Sequence, residues 1–197
     1  MRTQYFGDIS VAKVLDGADH FKAAIAFPDV DLNHFHQHHD WIRPFYDFEN
    51  ESIIISTHSY VVKTPEFTAI VDTCIGNDKN RIGSGPIFKA NEGVLSQWNN
   101  RNSPYLDNLI QSGVEPREVD YVLCTHMHAD HVGWNTKLQD GRWVPTFPNA
   151  QYLFSQTELE GMQKQTGNPF DDYIRLVYED SVLPVIQSGQ SIIIDSV

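Results

Sequence analysis

The stretch Cys124–Trp134, CTHMHADHVGW, places three histidines and an aspartate within the six residues from His126 to His131. It follows Val119–Cys124, VDYVLC, a short apolar run bounded by polar residues, which is the pattern of a buried strand. Open α/β sheets tend to place their sites at the carboxyl ends of such strands. In extended backbone His126 and His128 project to the same side and can share one ion. Asp130 and His131 come after the chain has begun to turn, so they can hold a second ion from another direction. Imidazole nitrogen and carboxylate oxygen suit zinc, iron or manganese better than calcium, and no thiolate is needed.

Outward from this centre, strand and helix patterns alternate, which indicates α/β architecture. Upstream, Glu51–Asp72 reads as strand, turn at Thr64-Pro65-Glu66, and strand. The polar, glycine-bearing stretch from Asp72 to Asn100 reads as a surface loop. Its IGSGP segment lacks the GK[ST] of a phosphate-cradling loop. A short helix is expected after Ser103-Pro104, with Ser103 as cap and Gly113 past its end. Downstream, Asp140-Gly141 marks a turn and Ala150–Phe154 a strand. Ser155 and Glu158 form a capping box for a helix to about Gln165, a helix over Asp171–Leu183 is closed by Pro184, and Ser191–Asp195 is a strand. No internal repeat or linker divides the chain.

The 197 residues and 41% apolar content suit one domain with a substantial core. Net charge is −12 with only 14 Lys and Arg, which argues against a nucleic-acid partner, since that affinity rests on clustered cations. Cys74 and Cys124 form no CxxC pair and read as two buried thiols near strand ends. Cys124, nearest the cluster, has no evident cationic neighbour to make it a nucleophile. No run approaches the roughly 18 apolar residues of a membrane span, and none has the form of a signal peptide, so the chain reads as cytoplasmic.

THMHADHVGW resembles the HxHxDH signature of the metallo-β-lactamase superfamily, with His126, His128, Asp130 and His131 at its four positions. VDTCIGND, with Asp72 at a strand end, is similar to that superfamily's strand-Asp-Thr-Gly element, whose aspartate supports the metal loop. Cys74 stands where glycine is usual. The resemblance runs from about Ser52 to Asp195 and implies an αβ/βα sandwich, of which this chain holds the first half and the start of the second. It also implies two divalent metal ions, zinc first and iron or manganese as substitutes. Such a pair, about 3.5–4 Å apart, would activate a bridging hydroxide toward a carbonyl carbon or a phosphorus, with Asp130 orienting it and moving a proton.

The string VDTCIGNDK, with HADHVGWNT and GRWVPTFPNA, is similar to the lactonase and organophosphate-hydrolase branch, so the expected substrate is a small ester, lactone or phosphotriester. Trp134, Trp143 and Phe147 are candidates to wall an apolar cleft, or to pack beneath a loop. Two alternatives stand beside this reading: a non-catalytic metal-binding fragment, and a di-iron or persulfide-oxidising redox relative.

The superfamily's later ligands, two histidines and a bridging aspartate, have no place here, because no histidine follows His131. A half-furnished site in a C-terminally truncated domain spanning 1–197 is therefore expected. Asp195 fits the strand before the missing loop better than it fits a ligand. A second histidine run, His34–Asp40 (HFHQHHD), has no strand signal before it and reads as a surface or cleft-edge loop. His58 reads as a packed or surface histidine, and His20 carries no signal. The oligomeric state is not legible.

Overall fold

The computed structural model describes residues 3–82, 96–164, 166–167 and 170–195. Most of the glycine-bearing IGSGP segment and the residues after it, 83–95, lie outside these, as does Gln165. An eight-stranded sheet runs in the order β1-β2-β4-β5-β6-β9-β10, with β3 paired to β4. These strands are β1 (Thr3–Phe6), β2 (Ile9–Lys22), β3 (Tyr46–Asp47), β4 (Ser52–Lys63), β5 (Thr68–Val71), β6 (Tyr121–Leu123), β9 (Gln151–Ser155) and β10 (Ser191–Ile194). The N-terminal strands pair antiparallel, whereas β5, β6, β9 and β10 run parallel. The carboxyl ends of those four strands therefore emerge along one edge of the sheet. The mixed α/β sheet expected from the sequence is present.

One row across the sheet, Val61, Ile70, Val122 and Tyr152, is at most 2% exposed and packs in the core with Tyr105 and Leu109 of the helix Tyr105–Gln111 and Val185 of the helix Leu183–Gln187. Full burial of each such side chain stabilises the fold by about 1.5–3 kcal/mol. The next row, on the other face, is Tyr60, Val71, Leu123, Leu153 and Ile192. Three of its members are open to solvent, Tyr60 at 45%, Leu123 at 37% and Ile192 at 40%. Parallel strands are ordinarily covered on both faces, so this row is an apolar surface of an unusual kind.

Several local expectations need correction. The 14-residue strand β2, ISVAKVLDGADHFK, carried no strand signal because Asp, Gly and Ala are poor strand formers; its pairing with β4 overrides that composition. A bulge between Leu15 and Gly17 turns Asp16 into the interior, where it is 3% exposed. Ser103 does not cap the helix that follows: its amide bonds Asn77, its hydroxyl bonds Asp16, and Pro104 takes the cap position. Pro184 does not close a helix over 171–183. The helix Asp171–Val177 passes into a π turn, Tyr178–Val182, and Pro184 sits in the first turn of the next helix, where its missing N–H costs nothing.

The His34–Asp40 run forms two short exposed helices, Asn33–Gln37 and His39–Ile42, rather than a loop. Its rings lie against aromatic neighbours, His36 and His39 on Phe48 and His38 on Trp41. The turn at Asp140-Gly141, both at positive φ, joins β7 (Thr136–Gln139) to β8 (Arg142–Pro145) as a hairpin. Among the described residues no helix is long and apolar enough to cross a membrane.

Candidate metal centre

Strand β6 is flanked in the sheet by β5 and β9, all parallel, so the segments that follow the three strands leave the same edge side by side. The middle loop carries His126, His128, Asp130 and His131. The β5 loop carries Asp72, and β9 passes directly into the helix Gln156–Gln163, which carries Glu158. Backbone bonds zip the first two loops together: Thr73 N–H to the His131 carbonyl at 2.7 Å, Gly133 N–H to Cys74 at 2.7 Å, and Trp134 N–H to Thr73 at 2.7 Å. The approach is so close that a Cβ on Gly133 would lie 1.9 Å from the Ile75 carbonyl oxygen, which only glycine permits. Asp72 and Cys74 adopt positive φ, 57° and 53°, to make this turn. The sequence element that resembles Asp-Thr-Gly is thus strained at Cys74, where a glycine would be unstrained.

Asp72 binds the histidine-bearing loop at two residues. Its carboxylate accepts from the Thr125 amide at 2.8 Å and from the Thr125 hydroxyl, and lies 2.9 Å from His131 Nδ1. The other ring nitrogen, Nε2, stands 3.3 Å from an Asp130 oxygen. The rings of His126 and His131 have centroids 3.9 Å apart, and those of His126 and His128 4.5 Å apart. All four signature residues therefore lie in one cluster, with Asp72 behind it.

Charge follows from this geometry. Burial alone would pull the His131 imidazole down, but hydrogen bonds and charge from Asp130 and Asp72 outweigh it and raise the group to about 9. Burial pushes both carboxyls up, but the bond and charge of His131, joined by the Thr125 bonds at Asp72 and the nearby His128 at Asp130, outweigh it and hold both below the usual carboxylate range. His126 is lowered by burial and by the neighbouring His131 and His128, which keeps its lone pair free at neutral pH.

The donor set is nitrogen and oxygen, which fits a divalent transition ion. Two donors, each about 2.1 Å from a tetrahedral ion, lie about 3.4 Å apart, and the Asp130–His131 pair matches that edge at 3.3 Å. Among the described residues no three His, Cys, Asp or Glu side chains are arranged as a complete ion-holding group. The residues present thus fit one edge of a metal site.

Sequence reasoning missed three neighbours. The Met127 amide donates to Glu158 at 3.0 Å, and Ser155 makes no side-chain cap bond, so Glu158 serves the histidine-bearing loop and not a capping box. Trp134 donates its indole N–H to the buried Asp16 at 3.0 Å and stacks on Tyr105. Tyr173 lies near enough to Asp130 and Arg81 for both to act on its phenol, which burial raises. Glu158, Asp16 and Tyr173 have no local pattern, since each comes from an element distant in sequence from the histidine-bearing loop.

The aromatic trio is not a cleft wall. Trp134 and Phe147 are buried, at 4% and 0%, and Trp143 lies under the Lys79 ammonium at 3.8 Å. Cys74 and Cys124 are free thiols raised by burial, Cys124 to about 12, so neither is a nucleophile at neutral pH. His58 is on β4 with Nδ1 beside Ser56, and His20 lies 3.6 Å from Asp47, both apart from the cluster described above.

Comparison with known proteins bears on the fold. A family model, described as the metallo-beta-lactamase superfamily, matches residues 54–195. Among solved structures, a probable metal-dependent hydrolase from Staphylococcus aureus is similar at 22% identity and TM-score 0.70, covering 98% of this chain and 61% of that one. The hydrolase AbOPH of the beta-lactamase superfamily matches at 20% identity and TM-score 0.70, over 98% and 60%. The dizinc quorum-quenching lactonase AidC, in complex with a product, matches at 18% and 0.71, again over 98% and 60%. These likenesses show the fold, and the chain spans about three-fifths of the length of each structure. A comparison with curated proteins gives no match. The family model covers well over half of the chain, and the chain belongs to the metallo-beta-lactamase superfamily.

Proposed function

We propose that His126, His128, Asp130 and His131 hold divalent metal ions, zinc first, in a hydrolase that cleaves a small ester, lactone or phosphotriester. The observation that carries this is His131, set between Asp72 on Nδ1 and Asp130 at Nε2. A ligating histidine ordinarily gives its second nitrogen to a carboxylate in this way, which fixes tautomer and ring plane. The names of two similar structures, a dizinc lactonase and a probable metal-dependent hydrolase, support a metal-dependent hydrolase with a lactone among its candidate substrates.

Bound divalent ions supply Lewis acidity to a carbonyl or phosphoryl oxygen and make water acidic enough to react near neutrality. The chain's own residues supply the rest. Asp72 accepts from His131 Nδ1, which fixes the ring plane and sets Nε2 on the Asp130 side of the cluster. Asp130, an anion at neutral pH, can accept the proton that the attacking water loses. His126, held neutral, offers a nitrogen lone pair.

The test is zinc or cobalt uptake by equilibrium dialysis, followed by hydrolysis of a short N-acyl homoserine lactone and of a phosphotriester. Uptake that a His126→Ala/His128→Ala variant abolishes, with hydrolysis of either substrate, supports the reading. Uptake without hydrolysis leaves a metal-binding protein and overturns the catalytic part.

A further inference from the structure

The Met127 amide sits between two proposed ligands, His126 and His128, in a segment that belongs to neither helix nor strand. No regular ladder bond serves it, and a buried amide without a partner is costly. Its partner is the Glu158 carboxylate at 3.0 Å, from the first turn of the helix after β9. The Met127 side chain is 3% exposed and packs in the core. The residue is thus held on two sides, by its side chain below and its amide at Glu158. With Met127 so fixed, the residues before and after it have their rings edge-on with centroids 4.5 Å apart.

Thr125, two residues earlier, is held in the same manner by Asp72 from the other neighbouring loop. The loop leaving the central strand is therefore gripped at alternate amides by two carboxylates, one from the loop after β5 and one from the helix after β9. The arrangement follows from the strand order β5-β6-β9, which brings both carboxylates to one edge.

We propose that Glu158 is a positioning residue that sets the His126–His128 pair by holding the Met127 amide. The role rests on the proposed function, in which those two side chains share an ion. Glu158 needs only to accept a hydrogen bond, so glutamine replaces it and alanine does not. Aspartate, one methylene shorter, falls short of the amide.

The experiment uses the full 197-residue chain and its Glu158→Gln, Glu158→Ala and Glu158→Asp variants, titrated with cobalt and followed by the cobalt absorption spectrum, with thermal unfolding alongside. Expected are wild-type affinity and spectrum for Glu158→Gln, and at least tenfold weaker binding with an altered spectrum for Glu158→Ala and Glu158→Asp. A purely structural role would lower the unfolding temperature and leave the spectrum of the folded fraction unchanged. If Glu158→Ala does not fold, Glu158→Asp decides. Wild-type affinity and spectrum in the folded variants would overturn the proposal.

Failure of the wild-type chain to take up cobalt would count against the proposed function, and the positioning role would then be read in the metal-free protein. There, the proton–proton contact between the His126 and His128 rings is expected in wild type and Glu158→Gln and lost in the other two. Its persistence in Glu158→Ala and Glu158→Asp would overturn the inference.

Discussion

Asp72 and His131 meet at 2.9 Å, a carboxylate oxygen on an imidazole nitrogen, between loops that leave adjacent parallel strands. The same carboxylate takes the Thr125 amide, so one side chain fixes both the start of the histidine-bearing loop and the ring near its end. Replacing Asp72 by alanine is expected to weaken metal binding by roughly 10–100-fold. A competition titration against a coloured chelator measures it. Unchanged affinity would mean that the pair only holds the loops together.

Metal binding should tighten with pH. His131 is raised to about 9 in the metal-free chain, so at pH 7 an incoming ion displaces its proton. Apparent affinity is expected to improve roughly tenfold per pH unit up to about pH 9 and then level off. In Asp72→Asn, one of the carboxylates that raises the group is gone, and the levelling point should move down. A flat profile between pH 6.5 and 9 would contradict the assignment.

Stability of the metal-free chain contains two opposed pH effects. His131 is raised above its unfolded value of 6.5, so its contribution is whole below pH 6.5 and lost as pH rises through about 9. Lys79, fully buried, is lowered by burial from 10.5 to about 7. Between those values the unfolded chain binds the extra proton, so this group makes stability rise with pH from about 7 to 10.5. Thermal unfolding of His131→Ala should show only the rise, and Lys79→Met only the fall. If Lys79→Met keeps the rise, the ammonium is not its source.

The Lys79–Arg81–Asp180 cluster joins the loop after β5 to the π turn, with Arg81 Nη1 2.7 Å and Lys79 Nζ 3.4 Å from the Asp180 carboxylate. Arg81 is fully buried, so Asp180→Ala leaves its guanidinium charge without a carboxylate and is expected to cost about 3–5 kcal/mol. Lys79→Met leaves the Arg81–Asp180 pair intact and should cost far less. Urea unfolding of the two variants gives the comparison, and equal losses would show that the lysine is as essential as the aspartate.

How much of this was legible beforehand depended on whether the information was local. The four signature residues share six positions, and Val119–Cys124 announces the strand that precedes them, so the centre of the site could be read from a short window. Strands β4, β5, β9 and β10 were equally plain, because β-branched runs bounded by turn residues carry their own signal. Strand β2 was hidden: its Asp16 and Asp19 are inward-facing acids that find their partners on Ser103, Trp134 and Arg101. Glu158 was misread for a related reason. Its spacing from Ser155 suits a capping box, but a buried amide on another loop offers the stronger claim on its carboxylate. Chain-distant hydrogen bonds leave no periodicity to find.

The open row of Tyr60, Leu123 and Ile192 predicts that the chain binds an apolar fluorescent dye while folded. Tyr60→Lys together with Ile192→Lys should reduce that binding and leave cobalt uptake unchanged, since neither residue is in the histidine cluster. Undiminished dye binding would place the apolar surface elsewhere.

The central claim is that His126, His128, Asp130 and His131 are metal ligands. The most direct test is elemental analysis of the chain after dialysis against zinc and then buffer, beside His126→Ala/His128→Ala. At least one tightly held zinc per chain, lost in the variant, is the predicted result. The same zinc content in both proteins, or none in either, would contradict it.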